Sequence, residues 1–219
     1  NNEYNLNYYE GSTLELDITK DTEMWKGVKE FDAVIGNPPY NDGKNKGANH
    51  SIWEKFVEKA LKTWIKPTGL LVYVTPSLWR NDSTWNEKSN PIGKLMKSKQ
   101  IKYLEIHDES DGQKVFKCST RYDWYLIKNI DCTEETEIKD QKGHIIMKNL
   151  SSMAFIPNFN FELIENLTNK DEKIDMLYSR SDYGSEKNSI WLPPKLKTKK
   201  RGRDWSVKQP SEYKYPVLY

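Results

Sequence analysis

The sequence predicts an α/β fold: a domain on a mainly parallel sheet, with a smaller C-terminal region after it. Three observations carry this expectation. Residues 31–75 read strand, helix, strand, the order of a βαβ crossover. Residues 70–74, LLVYV, are apolar without a break, as a strand covered on both faces should be. Apolar strand candidates alternate with helical stretches over residues 1–130, whereas residues 151–219 turn rich in Lys, Arg, Ser, Asn and Pro.

Taken in order, strands are expected at 5–9, 32–35, 70–75, 101–107, 121–128 and 143–147. The segment 32–35 reads as a buried strand. The clearest helix is 51–65. Ile52, Phe56 and Ala60 recur at i, i+4, and Trp53, Val57, Leu61 and Trp64 widen the apolar stripe. Asn49 or Ser51 can cap its start and Pro67 stops its end. Shorter helices are expected at 22–29, 92–99 and 159–168. The division that follows is a first domain over 1–150 and a second region over 151–219.

Bulk properties narrow the function classes. With 30% charged and 36% hydrophobic residues, the composition suits a soluble globular protein. No apolar run approaches the roughly 20 residues of a membrane span, and the N-terminus lacks the basic-then-apolar order of a signal peptide. Cys118 and Cys132 have no metal-ligand spacing and read as free thiols of a cytoplasmic protein. No metal site is expected. Net charge is +2, so nucleic-acid affinity has to come from local clustering. The chain opens on a strand candidate and ends on YPVLY with little slack, which suggests a piece of a longer protein.

The segment FDAVIGNPPYND, residues 31–42, leaves its strand through an amide, two prolines and an aromatic ring. Two prolines fix φ twice and remove two donors. Strand ends of this kind are where parallel sheets bind ligands. The residue types suit one electronic problem, a planar amino nitrogen whose lone pair is delocalised into a ring. The Asn37 side-chain carbonyl and the Pro38 main-chain carbonyl, aimed by Pro38-Pro39, can accept its two hydrogens and return electron density to nitrogen. The Tyr40 ring can stack on a flat base, worth about 1–3 kcal/mol. Such a site works by preorganised electrostatics and alignment.

Asn37-Pro38-Pro39-Tyr40 after an apolar strand resembles the catalytic motif of adenine-N6-specific DNA methyltransferases of the NPPY type, in particular the methylases of restriction–modification systems. Residues 51–61 resemble the helix lining that family's cofactor pocket, and residues 67–79 the turn, strand and loop after it. Residues 114–127 resemble the segment whose aromatic residue covers the second face of the flipped base. The resemblance implies a partial Rossmann-like methyltransferase fold, S-adenosyl-L-methionine as cofactor and double-stranded DNA as partner. A linked or partner restriction endonuclease is implied as well. It makes Asn37, Pro38, Pro39 and Tyr40 catalytic, and Tyr40 and Phe116 the base-stacking rings. Ser12, Asp17, Asn37 and Phe56 become cofactor contacts, although the helical spacing of Phe56 and Trp53 suits core packing equally.

Two features of that family are absent from the sequence. No Gly-x-Gly occurs in the 30 residues before Phe31, and the acidic residue that grips the ribose is missing. The family's short Gly-Asp turn is replaced by Gly11-Ser12, with Asp17 as a stand-in. The C-terminal region reads as the start of target recognition. Lys195, Lys197, Lys199, Lys200, Arg201 and Arg203 put six cations in nine residues, a strip suited to phosphates. Trp79 and Arg80, just past a strand end, are placed to touch substrate. The rival readings are methylation of RNA or of a glutamine amide, and an inactive nucleic-acid-binding fragment.

Overall fold

β1 (Phe31–Gly36) and β2 (Ile65–Pro76) run parallel, joined by α1 (Trp53–Lys59), which continues as a π-helical segment, Ala60–Trp64, straight into β2. The computed structural model describes residues 8–20, 25, 27–42, 51–82 and 89–168. Beyond β2 come a 3-10 turn (Ser77–Arg80), α2 (Pro91–Ser98), β3 (Lys99–His107), α3 (Glu109–Phe116) and β4 (Tyr122–Asp131). β5 (Thr136–Lys139), β6 (Ile145–Lys148), a 3-10 turn (Leu150–Ser152) and α4 (Phe161–Thr168) follow.

Six strands form one sheet in the order β1-β2-β4-β3-β5-β6. The α/β class holds, and the crossover from β1 to β2 is parallel as expected. The sheet as a whole is mixed: β3 and β5 are also parallel, while β2/β4, β3/β4 and β5/β6 are antiparallel. The reason lies in the short α3 connection. It returns the chain to the rim where β3 ended, so that Tyr122 at the start of β4 pairs with His107 at the end of β3. A strand that begins there can only run back against its neighbour.

The expected buried strand at 32–35 is corrected to a half-exposed one. Among the described residues β1 pairs only with β2, and Ile35 is 76% exposed. The two-sided cover expected for LLVYV is corrected too. Leu71 and Tyr73 are buried, Val72 and Val74 are half-buried, and Leu70 is exposed. The apolar run misled because its second face lacks cover among the described residues. On the buried face, Trp53, Val57, Leu61 and Trp64 of the α1 segment join Leu71, Ile101, Leu104, Tyr125 and Ile127 in one core.

Local chemistry explains the joints. Asn129 on β4 donates from Nδ2 to the carbonyls of Leu61 (3.1 Å) and Ile65 (3.2 Å), satisfying acceptors left open where the π segment ends. Asn90 caps α2 by accepting from the Gly93 N–H, with Pro91 at the first helical position. Residues 66–69 bulge from β2 with Thr68 at φ 72°, and the bulge closes because Gly69 has no side chain. A Cβ there would lie 2.4 Å from Ile65 Cγ2 and 2.9 Å from the Asp32 carbonyl oxygen.

Contacts divide the chain into units Asn1–Thr168 and Asn169–Tyr219, and the described residues lie in the first. Leu150, Ile156 and Phe161 belong to its core. The expected strand 5–9 and helix 22–29 lie largely outside the described residues, as does the whole basic strip, Lys195 to Arg203. Among the described residues no helix is long and apolar enough to cross a membrane.

Candidate active site

The carboxyl ends of β1, β2 and β3 and the start of β4 share one rim of the sheet, as their pairings require: Gly36 opposite Tyr73, Pro76 opposite Tyr122, Tyr122 opposite His107. Asn37 follows β1 onto this rim, where sequence reasoning puts it. Asn37 and Pro39 are exposed, Pro38 is buried and Tyr40 is half-buried. The turn is tied down from behind. The Ile52 N–H donates to the Tyr40 carbonyl (3.1 Å), and Asn41 bridges to Ser51. The rigid prolines and this β-like clasp hold the turn, leaving the Asn37 amide at the surface.

Tyr40 points its hydroxyl inward, where it is buried without a hydrogen-bond partner among the described residues. Burial, reinforced by Cys118 and Asp123, pushes this phenol up to about 12. It is therefore a neutral ring at any physiological pH, as a stacking surface should be. The Phe116 ring stands 6.2 Å from it at 67°, edge to face. Tyr40 and Phe116, 76 positions apart in the sequence, are thus neighbours in the fold. Two parallel rings around a base need about 7 Å between centroids, twice the usual ~3.5 Å contact. At 6.2 Å and 67° the two rings are neither parallel nor that far apart.

The residues expected at the cofactor are spread more widely. Ser12 is exposed. Asp17 accepts from the Thr19 N–H (3.1 Å) and Oγ1 (2.6 Å) and pairs with Lys20 (3.0 Å), contacts that pull its carboxyl down to about 2. Asp17 also lines an open cavity of about 320 Å³ with Tyr9, Glu15, Leu16 and Lys20. Phe56 is half-buried against the core. Lys59 at the end of α1 donates to the Leu14 carbonyl, while Ile52 at its start holds Tyr40. Seven helical residues at 1.5 Å each set these two anchor points about 10 Å apart along α1. Asp17 thus puts a carboxylate acceptor beside an open cavity. A glycine-rich loop of the kind that would cradle the methionine end of an adenosine-bearing cofactor is not among the described residues.

Trp79 and Arg80 are corrected from substrate contacts to core. Trp79 is 0% and Arg80 5% exposed. Arg80 Nε lies 3.1 Å from Asp123 Oδ2, and the guanidinium also donates to the carbonyls of Ile156 and Pro157 and to Asn158 Oδ1. Burial pushes Asp123 up to about 6 against the opposing pull of Arg80 and the Trp79 N–H.

One cluster went unnoticed in the sequence. His107, which attracted no role, stacks on Tyr122 at 4.4 Å and 3°, and its Nδ1 lies 2.9 Å from Asp111 Oδ2. Tyr122 donates to Asp111 and meets the Phe116 ring edge-on at 4.9 Å. The available signal was Asp108 with Asp111, an N-cap spacing that marks a helix directly after a strand. Among the described residues no group of His, Cys, Asp and Glu could hold a metal ion.

The parallel β1–α1–β2 crossover, with an amide and two prolines leaving the carboxyl end of β1, makes this an α/β fold with its candidate site on the strand rim. The model of the Eco57I restriction-modification methylase family matches residues 2–116, more than half of the 219 residues, and the chain belongs to that family. It is 30% identical over 131 residues to the modification methylase CviBIII of Paramecium bursaria Chlorella virus NC1A, covering 56% of this chain and 33% of that protein. The chain therefore spans about a third of the length of that relative. A structure concerned with assembly and conformational transition of the type I R-M system aligns at 14% identity and TM-score 0.42, covering 73% of this chain and 32% of that one. The EcoKI M protein of a type I restriction enzyme aligns at 14% identity and TM-score 0.37, covering 52% and 26%.

Proposed function

We propose that this chain carries the target-base half of an S-adenosylmethionine-dependent methyltransferase acting on the N6 amino group of adenine in DNA, within a restriction–modification system. The observation that carries the reading is the Tyr40–Phe116 pair beside the exposed Asn37 amide, at a strand's carboxyl end in a chain of the Eco57I methylase family. Adenine flipped from the duplex stacks between the two rings, which offsets the few kcal/mol of unpairing. The Asn37 side-chain carbonyl and the Pro38 carbonyl accept the two N6 hydrogens. This keeps the lone pair on nitrogen and aims it at the incoming methyl group. The N6–C bond would form as the methyl–sulfur bond breaks to leave a neutral thioether, and the surplus N6 proton would pass on to solvent, since an amide carbonyl is too weak a base to keep it. When bound, S-adenosylmethionine supplies that methyl group from a sulfonium. Asp17 and the flank of α1 hold the adenosine side, and residues beyond this chain complete the cradle.

The same reading makes residues 1–150 the catalytic domain and 151–219 the start of target recognition, with Lys195, Lys197, Lys199, Lys200, Arg201 and Arg203 on phosphates. Double-stranded DNA and a restriction endonuclease, linked or separate, are its partners, and its place is the cytoplasm. The test is methyl transfer by the full-length parent to duplex DNA, RNA and protein, with the product located by digestion and mass spectrometry. N6-methyladenine in DNA is the expected product. Methyl groups found only in RNA or on a glutamine amide would replace the substrate assigned here.

A further inference from the structure

The geometry points to Tyr122 as a positioning residue: its hydroxyl, bonded to Asp111, is a strut that sets the opening between Phe116 and Tyr40. The inference rests on the reading that Phe116 covers the second face of the flipped base.

Phe116 is the last residue of α3, and Lys117 after it is left-handed at φ 58°. A terminal position of this kind frays unless something holds it. The helix has no ordinary apolar anchor. Gly112 is its one buried residue, and Val115 is 56% exposed. What fixes it is polar and local. Asp108 caps its first turn through the Asp111 N–H at 2.8 Å. Gly112 lies so close to the returning chain that a Cβ would come within 2.1 Å of the Thr120 carbonyl oxygen.

The remaining tie is Tyr122. It is 5% exposed, its ring stacked on His107 and in perpendicular contact with Phe116. Its hydroxyl donates to Asp111, five positions before Phe116 on the same helix. One side chain thus touches the clamping ring and also grips the helix that bears it. His107 supports the strut, contacting Asp111 through Nδ1 and stacking on Tyr122. The bond to Tyr122 is the first cause of Asp111's lowered carboxyl, so the acceptor stays ionised and the bond charge-assisted. Without that hydroxyl, α3 keeps its cap and the His107 contact but loses the one tie whose ring also touches Phe116, and Phe116 can turn away from Tyr40.

The test has two arms in the full-length parent. In the first, 4-fluorophenylalanine replaces Phe116 and its fluorine resonance is recorded without DNA. Tyr122→Phe, which keeps the ring stack, and Asp111→Asn should each move and narrow the resonance as the ring gains freedom. An unchanged resonance in both overturns the strut, whatever the enzyme's substrate. In the second arm, Tyr122→Phe should lower kcat for adenine methylation about tenfold, the scale of one lost charge-assisted hydrogen bond. KM for DNA should stay within about twofold, since backbone contacts carry most of that affinity. In a Phe116→Ala background the Tyr122→Phe loss should vanish. A loss that persists there means Tyr122 acts elsewhere, and overturns the proposal. A parent that makes no N6-methyladenine overturns the functional reading instead, and leaves the fluorine result to judge the strut.

Discussion

Two strand exits stand side by side on the same rim. β1 leaves through Asn37 to Tyr40, and β2, parallel to it, leaves through Ser77 to Arg80. Both carry aromatic and polar side chains, and rim position alone gives them equal claim to chemistry. Their environments are opposite. Asn37 is open to solvent, and Tyr40 is held through its backbone. Trp79 and Arg80 are sealed in the core, with the guanidinium spent on Asp123 and on the backbone of residues 156 and 157. A site needs groups whose bonding capacity is left free, and the first exit leaves its amide open where the second spends its guanidinium on the core. The second fastens the sheet to the segment that leads into α4.

The comparison breaks most easily at Arg80. Arg80→Ala strands the buried Asp123 carboxylate and should cost about 3–5 kcal/mol in urea unfolding, with any loss of methylation following the loss of folded protein. Asn37→Ala should show the reverse. Stability should hold within about 0.5 kcal/mol, while single-turnover methylation by the parent falls on the order of 10²–10³-fold, the scale of one lost transition-state acceptor. DNA affinity should stay nearly intact. Near-normal turnover in Asn37→Ala would reduce the double proline to a structural turn.

Asp123 sharpens the contrast through pH. In the folded chain it keeps its proton up to about 6, against an ordinary value of 3.8 once unfolded. Between those values the folded state binds more protons, so raising the pH through the window removes stability. Asp123→Asn should abolish that decline, and a difference curve against wild type that is flat from pH 4 to 6 would contradict the assignment. The smallest effect is expected in the basic strip of the C-terminal region. Lys199→Ala with Lys200→Ala should flatten the log–log salt dependence of DNA binding by about 2, without changing which sequences are preferred.

The turn at Asn37 to Tyr40 was legible in the sequence because its residue types are rarely combined for packing alone, and α1 because its apolar stripe is continuous. β5 escaped because TEIK offers two inward residues, Thr136 and Ile138, and one of them is polar. α3 escaped because it buries only Gly112, so no apolar period exists to be read. The cover over β1 was misjudged because an apolar run looks the same whether or not a neighbour is present. Trp79 and Arg80 were misplaced because their partner segment, residues 155–158, lies more than seventy positions away with no pattern linking the two.

The junction between α1 and β2 has no connecting loop at all: the π segment ends at Trp64 and the strand begins at Ile65, with Asn129 clasping the joint. The helix is therefore a gauge of fixed length between the core and the Tyr40 clasp. One residue added within it would turn everything before it by about 100° and shift it by about 1.5 Å. With the joint pinned by Asn129 at Leu61 and Ile65, the Ile52–Tyr40 bond would be the part to give. Length in this stretch is held as strictly as side-chain identity, and tolerance to insertion should begin only beyond the clasp, on the far side of Asn41.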